Sequence, residues 1–215
     1  MIVSIFLTTV TLILLLNPID AIAQEPITPP NWHDSTATEA LLAVLANRAE
    51  QTHNLQGQFQ QQKQLQGLPL PLKASGNYSY SQHQGLNWHT LSPINSTLQI
   101  GNKPGRNTGT LGSNTNANLV ANIFIAVVRG DLKQLQQYFN IQSSGDIAQW
   151  HLRLTPIKQA LANYLNYIDV TGAELTEQLY VAEASGDITS IKLKNSVSST
   201  QADEAKGKGI VKGEQ

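Results

Sequence analysis

The sequence contains no cysteine in its 215 residues, and charged residues make up only 13% of it. Without cysteine there is no disulfide, so the stability of the fold must come from a packed core, for which this length suffices. A bacterial lipoprotein needs a cysteine to carry its lipid, so this chain is not lipid-anchored in that way. Basic and acidic residues number 14 and 15, a balance that indicates neither a nucleic-acid partner nor an anionic membrane surface.

Enzyme and metal-site motifs are also missing. The sequence has no Gly-x-Ser-x-Gly nucleophile elbow and no carboxylate pair suited to acid–base work. The glycines between Gly101 and Asn116 lack the Gly-x4-Gly-Lys-Ser/Thr order of a phosphate-binding loop, so we expect a flexible surface loop there. Five histidines fall at no metal-ligand spacing, so we expect no metal, no cofactor and no catalysis: His33, His53, His83, His89 and His151.

Residues 1–23 have the pattern of a secretory signal peptide. The apolar run from Ile2 to Leu16 is too short to span a bilayer comfortably, and Asn17-Pro18 ends it. Ala21-Ile22-Ala23 places small residues at the two positions that a signal peptidase reads, so we expect cleavage before Gln24. No Lys or Arg precedes the apolar run, which keeps an uncleaved anchor open as the alternative.

The stretch from Leu68 to Ile100 has the alternation of an antiparallel β-meander. Apolar and aromatic residues occupy every second position of its strands, which gives one apolar face and one polar face. Gln82-His83-Gln84-Gly85 and the segment around Pro93 are the turns. Such a sheet must be covered by helices or hold something apolar. The predicted apolar face consists of Leu68, Leu70, Leu72, Ala74, Gly76, Tyr78, Tyr80, Leu86, Trp88, Thr90, Leu98 and Ile100.

A helix and a first strand are predicted before the meander. The helix begins near Ser35, where Thr36 and Glu39 fit a capping box. The segment from Leu55 to Leu65 is rich in glutamine, which is compatible with low-complexity disorder. Alternate positions through Phe59 keep strand parity, so we prefer a strand with a polar outer face. The apolar stripe of the helix is Leu41, Leu42, Val44, Leu45 and Ala49.

Further helices and strands are predicted after the loop. Asn118 opens a helix that Gly130 interrupts, and Asp131 caps the next segment. Both segments are interpreted either as ordinary core helices or as a lid. A strand over Ile147 to Leu154 is followed by a short helix that starts at Thr155-Pro156. The closing strands are Tyr167 to Val170, Leu175 to Glu183 and Ile188 to Leu193, with Ser185-Gly186-Asp187 as a hairpin turn.

Seven short motifs resemble, in their order along the chain, those of the LolA family of periplasmic carriers of outer-membrane lipoproteins. The resemblance covers residues 36–195 and implies an α+β fold, an incomplete antiparallel β-barrel in which a helical lid closes a curved sheet over an apolar cavity. We therefore divide the chain into a signal peptide (1–23), an extended lead-in (24–34), a carrier domain (35–195) and a disordered tail (196–215). The motifs are Phe59-x-Gln61, ASGxYxY, GLxWxT, PxxSxLxI, GDLxxLxxYF, LxLxP and SGDITxIxL.

The resemblance also implies a function. A monomeric carrier of this family binds the acyl chains of lipoproteins in its cavity and chaperones them across the periplasm of a Gram-negative bacterium. It receives them from an inner-membrane release complex and passes them to an outer-membrane acceptor. Each buried methylene group stabilises the bound chain by about 0.8 kcal/mol. The expected acyl-binding residues are Phe59, Leu72, Tyr78, Leu86, Trp88, Leu98, Ile100, Ile123, Phe124 and Val127.

One feature of the carrier family is missing. An Arg that hydrogen-bonds the lid helices in the family would fall at or near Gln82, and the segment from Ser79 to Gly85 contains no Arg. The absence keeps a second interpretation open, in which the cargo is another lipid, a glycolipid or an aryl-polyene. A third interpretation is a regulatory or structural module that binds proteins through the same fold and transports nothing.

Overall fold

The structure is a computed structural model that describes residues 39–101 and 115–196. The predicted signal peptide, the lead-in, the capping residue Thr36, most of the glycine-containing loop and the tail beyond Ser196 lie outside these residues. No helix within the described ranges is long and apolar enough to cross a membrane.

Nine antiparallel strands form one curved sheet in the order β4-β3-β2-β1-β9-β8-β7-β6-β5. The first and last strands of the described residues, β1 and β9, pair in the middle of the sheet, and β4 and β5 lie at its two edges. The edges do not pair with each other, so the predicted incomplete barrel is confirmed. The strands are β1 Asn54–Gln64, β2 Leu72–Ser81, β3 Gly85–Ser92, β4 Ser96–Ile100, β5 Phe139–Gly145, β6 Trp150–Pro156, β7 Leu165–Gly172, β8 Thr176–Glu183 and β9 Ile188–Ser196.

Helices α1 (Glu39–Gln51) and α2 (Thr115–Arg129) are the two long helices of the described ranges. α1 buries a stripe at every fourth residue, Leu41, Leu45 and Ala49. Val44 is 42% exposed, so its assignment to that stripe was wrong. A helix that rests on a sheet along one narrow line leaves a residue on the flank of that line in solvent.

Two short helices follow, α3 (Leu132–Leu135) and α4 (Gln159–Ala162). The predicted break at Gly130 is confirmed, because this residue has a left-handed φ of 71°. The predicted cap is confirmed as well, since the carboxylate of Asp131 accepts a hydrogen bond from the backbone amide of Gln134 at 3.1 Å. Leu132 and Leu135 of α3 are buried in the core.

Three details of the predicted strands were wrong, and proline explains two of them. Leu68 and Leu70 are 47% and 63% exposed, since Pro69 and Pro71 lack the N–H that a sheet ladder needs and β2 begins only at Leu72. Pro156 does not start a helix but ends strand β6, where a missing N–H is tolerated. The predicted strand from Ile147 begins only at Trp150, and an additional strand, β5, precedes it.

Candidate ligand-binding site

Four aromatic rings form a cluster between the sheet and helix α2, which we call the aromatic cluster: Phe59, Tyr78, Trp88 and Phe124. The Trp88 ring stacks on Phe59 with 3.9 Å between the ring centroids and lies 5.8 Å from Tyr78. Phe124 of α2 meets Trp88 edge-on at 5.1 Å and 76°. Trp88 is therefore the ring that touches both the sheet and the helix above it.

The structure brings nine of the ten predicted acyl-binding residues together in one hydrophobic core. Leu98 and Phe124 pack on this core and are half-buried. Leu72 stands apart from it, half-buried at the first position of β2. The contact of all ten with an acyl chain remains a prediction. Fully buried members of the set are Phe59, Tyr78, Leu86, Trp88, Ile100, Ile123 and Val127.

Two glycines let the rings lie flat on the sheet. A Cβ at Gly76 would be 2.8 Å from a ring carbon of Phe59, and a Cβ at Gly57 would be 2.9 Å from the hydroxyl of Tyr78. Both positions face the core, Gly57 between Leu55 and Phe59 and Gly76 between Ala74 and Tyr78. A Cβ at these positions would lie even closer to the backbone of a neighbouring strand, 2.0 Å from the carbonyl oxygen of His89 for Gly76 and 2.3 Å from that of Lys194 for Gly57. A side chain at either glycine would therefore disturb both the strand pairing and the aromatic cluster.

A chain of hydrogen bonds connects the aromatic cluster to helix α2. The hydroxyl of Tyr78 donates to the side-chain oxygen of Asn195, which lies two strands away on β9. The Asn195 amide donates to the carbonyl of Thr176 at 2.7 Å, and the Thr176 hydroxyl donates to the carbonyl of Val127 at 3.1 Å. Burial raises the pKa of Tyr78 to about 12, so its hydroxyl keeps the proton that it donates at neutral pH.

Arg129, in the last turn of α2, makes further polar contacts between this helix and its surroundings. Its guanidinium donates to the carbonyl of Ala49 in α1 at 3.2 Å and lies 5.1 Å from the ring centroid of Tyr80 in β2. A third contact is the ion pair between its guanidinium and the carboxylate of Asp131, at 3.4 Å. The contacts described here hold the C-terminal end of α2, whereas Ile123 and Phe124 pack on the apolar core.

Arg129 stands close to the place where the carrier family would have its lid-binding Arg. Gln82 follows β2 by one residue, and its backbone amide donates to the carbonyl of His53 at 3.1 Å. Tyr80, under the Arg129 guanidinium, precedes Gln82 by two residues. Sequence reasoning missed Arg129 because it searched the strand-turn, although a basic residue in the last turn of a helix is a recognisable signal.

A second charged cluster lies in strands β6 and β7, on the side chains that alternate with the core residues. Asp169 is completely buried and accepts two hydrogen bonds of 2.7 Å from Arg153, while His151 lies 3.4 Å from it. Burial alone would raise the pKa of Asp169, but the hydrogen bonds from Arg153 and His151 hold it below its usual value. A carboxylate fixed in this way accepts hydrogen bonds but has no proton to give, so the cluster stabilises the sheet.

Two other features of the described residues bear on ligands. The outer face of β1, β2 and β3 has a hollow of about 360 Å³ whose polar lining, including Gln56, Asn77 and His89, does not suit an acyl chain. Within the described ranges, no three side chains of His, Cys, Asp or Glu are placed to hold a metal ion.

Comparison with known proteins gives structural neighbours only. No protein-family profile matches the chain, and no curated protein matches its sequence. MucB is 14% identical with a TM-score of 0.46 over 79% of this chain and 62% of MucB. MucB in the MucA/MucB complex of Pseudomonas aeruginosa is 13% identical with a TM-score of 0.43 over 78% of this chain and 60% of the other. The chain thus spans less than two thirds of MucB.

A smaller neighbour is matched over most of its length. A LolA superfamily protein from Nitrosomonas europaea is 8% identical with a TM-score of 0.34 over 72% of this chain and 91% of the other. At identities and TM-scores this low, the neighbours say nothing about ligand or partner. The likeness to the LolA family that the motifs indicated is found again among solved structures, as a likeness of fold.

Proposed function

We propose that this protein is a carrier that binds an acyl chain between helix α2 and the aromatic cluster, and that it catalyses no reaction. The observation that carries the proposal is the contact of Trp88 with Phe124, because it is apolar and joins the sheet to the helix above it. Phe124 is half-buried, so the helix does not bury this ring completely. An acyl chain offers the same kind of surface as the ring that it would replace.

The energies favour this exchange. An edge-on aromatic pair contributes about 1 kcal/mol beyond the area that it buries. An acyl chain that buries about ten methylene groups gains about 8 kcal/mol before the costs of ordering it. A ligand of this size can therefore displace Phe124 from Trp88. The hydrogen bond from Thr176 to the carbonyl of Val127 holds the other end of the helix while this happens.

The proposed cargo is the acyl chains of lipoproteins, carried through the periplasm from the inner-membrane release complex to the outer-membrane acceptor. Arg129 would do here what the strand-turn Arg does in the carrier family, since it joins the helix to α1 and to β2 in the empty state. A ligand shifts such a closed state only by its differential affinity for the open one. A glycolipid or an aryl-polyene would be held by the same apolar contacts.

Site-resolved fluorescence quenching tests the binding site. The chain has three tryptophans, Trp32, Trp88 and Trp150. A variant that keeps only Trp88 (Trp32→Phe with Trp150→Phe) should lose much of its fluorescence when a brominated fatty acid binds. Bromine quenches by contact, so the loss shows that the acyl chain lies against this ring.

The matched control keeps only Trp150, by Trp32→Phe with Trp88→Phe. Trp150 is as buried as Trp88 but lies in β6, where its indole donates to the carbonyl of Ala173 at 2.6 Å. We expect little quenching there. Equal quenching of both rings, or none of Trp88 by a lipid that binds the protein, would show that the acyl chain does not lie on the aromatic cluster.

A second candidate function is a protein-binding module, and the open sheet is the observation that favours it. Among the described residues, the edge strand β5 pairs with β6 on one side only, so its other side could receive a strand from a partner. Native mass spectrometry of protein purified from its own periplasm separates the candidates. A bound lipid or lipoprotein supports the carrier, and a bound polypeptide without lipid supports the module.

A further inference from the structure

The large apolar side chains that the structure exposes gather at one end of the sheet, which we call the apolar end. Lys63 pairs with Leu72, Ser75 with Ser92, and Leu165 with Glu183. These registers place the β1–β2 loop, the β3–β4 turn and the chain before β7 at the same end. Six of the eight exposed large apolar residues in the described ranges lie there: Leu68, Leu70, Leu91, Ile94, Ile157 and Tyr164.

The two remaining exposed residues lie elsewhere and provide controls. Val44 is on helix α1, and Ile147 is in the turn between β5 and β6, at the opposite end of the sheet. Their exposed fractions of 42% and 40% are close to that of Ile94, 45%. Exposure alone therefore does not distinguish the apolar end. The apolar end differs because the β1–β2 loop, the β3–β4 turn and the chain before β7 all bring exposed apolar residues to the same end of the sheet.

The charges of the two ends differ. The exposed charged residues near the apolar end are Lys73, the second residue of β2, and Lys158, which precedes α4. The ammonium of Lys158 lies 5.4 Å from the ring centroid of Tyr138. Its two acidic residues, Glu183 and Asp187, lie 3.0 Å and 3.8 Å from the buried ammonium of Lys63. With Lys63, this end therefore has three lysines against two carboxylates, an excess of one positive charge. The opposite end exposes three acidic residues, Asp146, Glu174 and Glu177, against one lysine, Lys194 near the end of β9.

Exposed apolar side chains next to lysines are suited to binding the surface of a phospholipid bilayer. Side chains on separate turns can each enter a fluid interface, and the ammonium groups can meet the phosphates of the lipids. The acidic opposite end would be repelled by the same surface, so the charges also set the orientation.

We propose that the apolar end docks on a bilayer that contains anionic phospholipid. Leu68 and Leu70 of the β1–β2 loop and Ile94 of the β3–β4 turn enter the interface, while Lys73 and Lys158 face the headgroups. This contact is an additional property of the protein and does not depend on acyl-chain binding at the aromatic cluster. The net charge of the whole chain does not indicate this local positive charge, since the basic and acidic residues nearly cancel over the full sequence.

The absence of cysteine makes a site-resolved test possible in the full chain. Leu70→Cys, Ile94→Cys and Ile147→Cys each give a single thiol for the dye NBD, whose emission shifts to the blue and brightens in a bilayer. With vesicles of phosphatidylethanolamine and phosphatidylglycerol, we expect this change at positions 70 and 94. The control at 147 should stay unchanged, even if another part of the chain brings the protein to the vesicle.

A second series tests the lysines in the Leu70→Cys background. Lys73→Gln and Lys158→Gln should each weaken the vesicle affinity that NBD reports by about fivefold. The same changes should have little effect with vesicles of phosphatidylcholine alone, which carry no net charge. Lys192→Gln, on the outer face in the middle of β9, is the matched control and should not change the affinity.

Three results would overturn the proposal. The first is no NBD response at positions 70 and 94, and the second is an equal response at all three positions. The third is a response without vesicles that grows with protein concentration, which would assign the apolar end to self-association. Because no fatty acid is added, each outcome is independent of the quenching of Trp88. Failure of one proposal is therefore distinguishable from failure of the other.

Discussion

The two halves of the sheet are built differently. In β1–β4 the core side carries aromatic rings, and the outer face carries uncharged groups in register, such as Gln58, Asn77 and His89 across three strands. In β6–β8 the core side is mostly aliphatic, with Leu152, Leu154, Val170 and Leu179 almost completely buried. There the alternate side chains include the Arg153–Asp169 ion pair and the stacked rings of Tyr167 and Tyr180.

The difference agrees with the proposal that β5–β9 are the scaffold and that β1–β4 hold the ligand. Interdigitated aliphatic side chains and a doubly hydrogen-bonded ion pair lose stability if either is disturbed. Flat rings that meet a helix by one edge can exchange that contact for another apolar surface. We therefore expect β5–β9 to remain fixed while α2 moves over β1–β4.

Two side-chain contacts join the halves near the central β1–β9 pairing. At the apolar end, Lys63 of β1 pairs with Glu183 of β8 at 3.0 Å, and both are buried. Burial raises the pKa of Glu183, and the hydrogen bond from Lys63 opposes this effect. Toward the opposite end, the hydroxyl of Tyr78 in β2 donates to Asn195 in β9. Motion of α2 is thus possible without separating the two halves.

The largest expected effect comes from breaking the scaffold with Arg153→Met. This change leaves the carboxylate of Asp169 buried without its main partner, which costs about 3–5 kcal/mol of the free energy of unfolding. Urea unfolding at neutral pH measures it. The contribution of Asp169 is present above its ordinary pKa of 3.8 and is lost as the pH falls through its lower value in the folded state. Wild type and variant should therefore converge in acid.

The surface ion pair between Lys133 and Glu50 supplies the control. Lys133→Met removes it, and we expect an almost unchanged unfolding midpoint, since exposed pairs contribute little. If Arg153→Met were as harmless as Lys133→Met, the ion pair would not hold the scaffold.

A smaller effect, confined to the other half, is expected from Arg129→Met. Loss of its hydrogen bond to Ala49 and of its contact with Tyr80 should destabilise the closed position of α2 by about 2 kcal/mol. Hydrogen exchange should then become faster in α2 and unchanged in β6–β8. The affinity for a fatty acid should rise, because the closed state competes less with the bound one.

Arg48→Met is the matched control for this prediction. Arg48 is the basic residue near the end of α1 and donates to the carbonyl of Ala173 at 2.8 Å. Loss of the Arg48 guanidinium should reduce the stability of the protein without changing its affinity for a fatty acid. The hydrogen bond that it makes to Ala173 does not involve α2. Equal affinities of the Arg129→Met variant and the wild type would contradict the assignment of Arg129 as the contact that closes the helix.

The smallest effect is expected from Tyr78→Phe, which keeps the ring and removes the donor to Asn195. We expect a loss of about 1 kcal/mol at neutral pH. Because the pKa of Tyr78 is raised from 10.0 to about 12, the unfolded chain ionises first and wild-type stability should fall as the pH rises between these values.

The variant Tyr78→Phe should lose this part of the alkaline destabilisation. Tyr164→Phe is the control, since Tyr164 is 41% exposed, and it should change neither the stability nor its pH dependence. An alkaline profile of Tyr78→Phe identical to that of the wild type would show that Tyr78 ionises as freely in the folded protein as in the unfolded chain.

Much of the first half of the fold could be predicted from the sequence. Alternation gave the correct faces for the residues from Ala74 to Tyr80 and for Leu86 and Trp88, because a strand sends side chains to opposite faces whatever its neighbours are. The glutamine-rich segment is strand β1, as preferred. The hairpin at Gly186 is also confirmed, with a φ of 89° that glycine adopts without strain.

Prediction failed where a segment's structure depends on distant partners. β5 has a weak alternation of its own and is a strand because β6 pairs with it along its whole length. Pro156 closes that same pairing at Phe139, so a residue typical of a helix start became the end of a strand. The place of Arg129 in the last turn of a helix was recognisable, but its partner was not, since Ala49 is 80 residues away in the sequence.

The sequence by itself therefore determined the faces of the strand residues from Ala74 to Tyr80, the cap at Asp131 and the turns at Gly85 and Gly186, because these depend on residues within a few positions of one another. The tertiary structure decided the pairing of β1 with β9, the contacts of Arg129, the buried ion pairs and the collection of apolar loops at one end. These features join segments far apart in the chain, and their energies exist only after the sheet has brought those segments together.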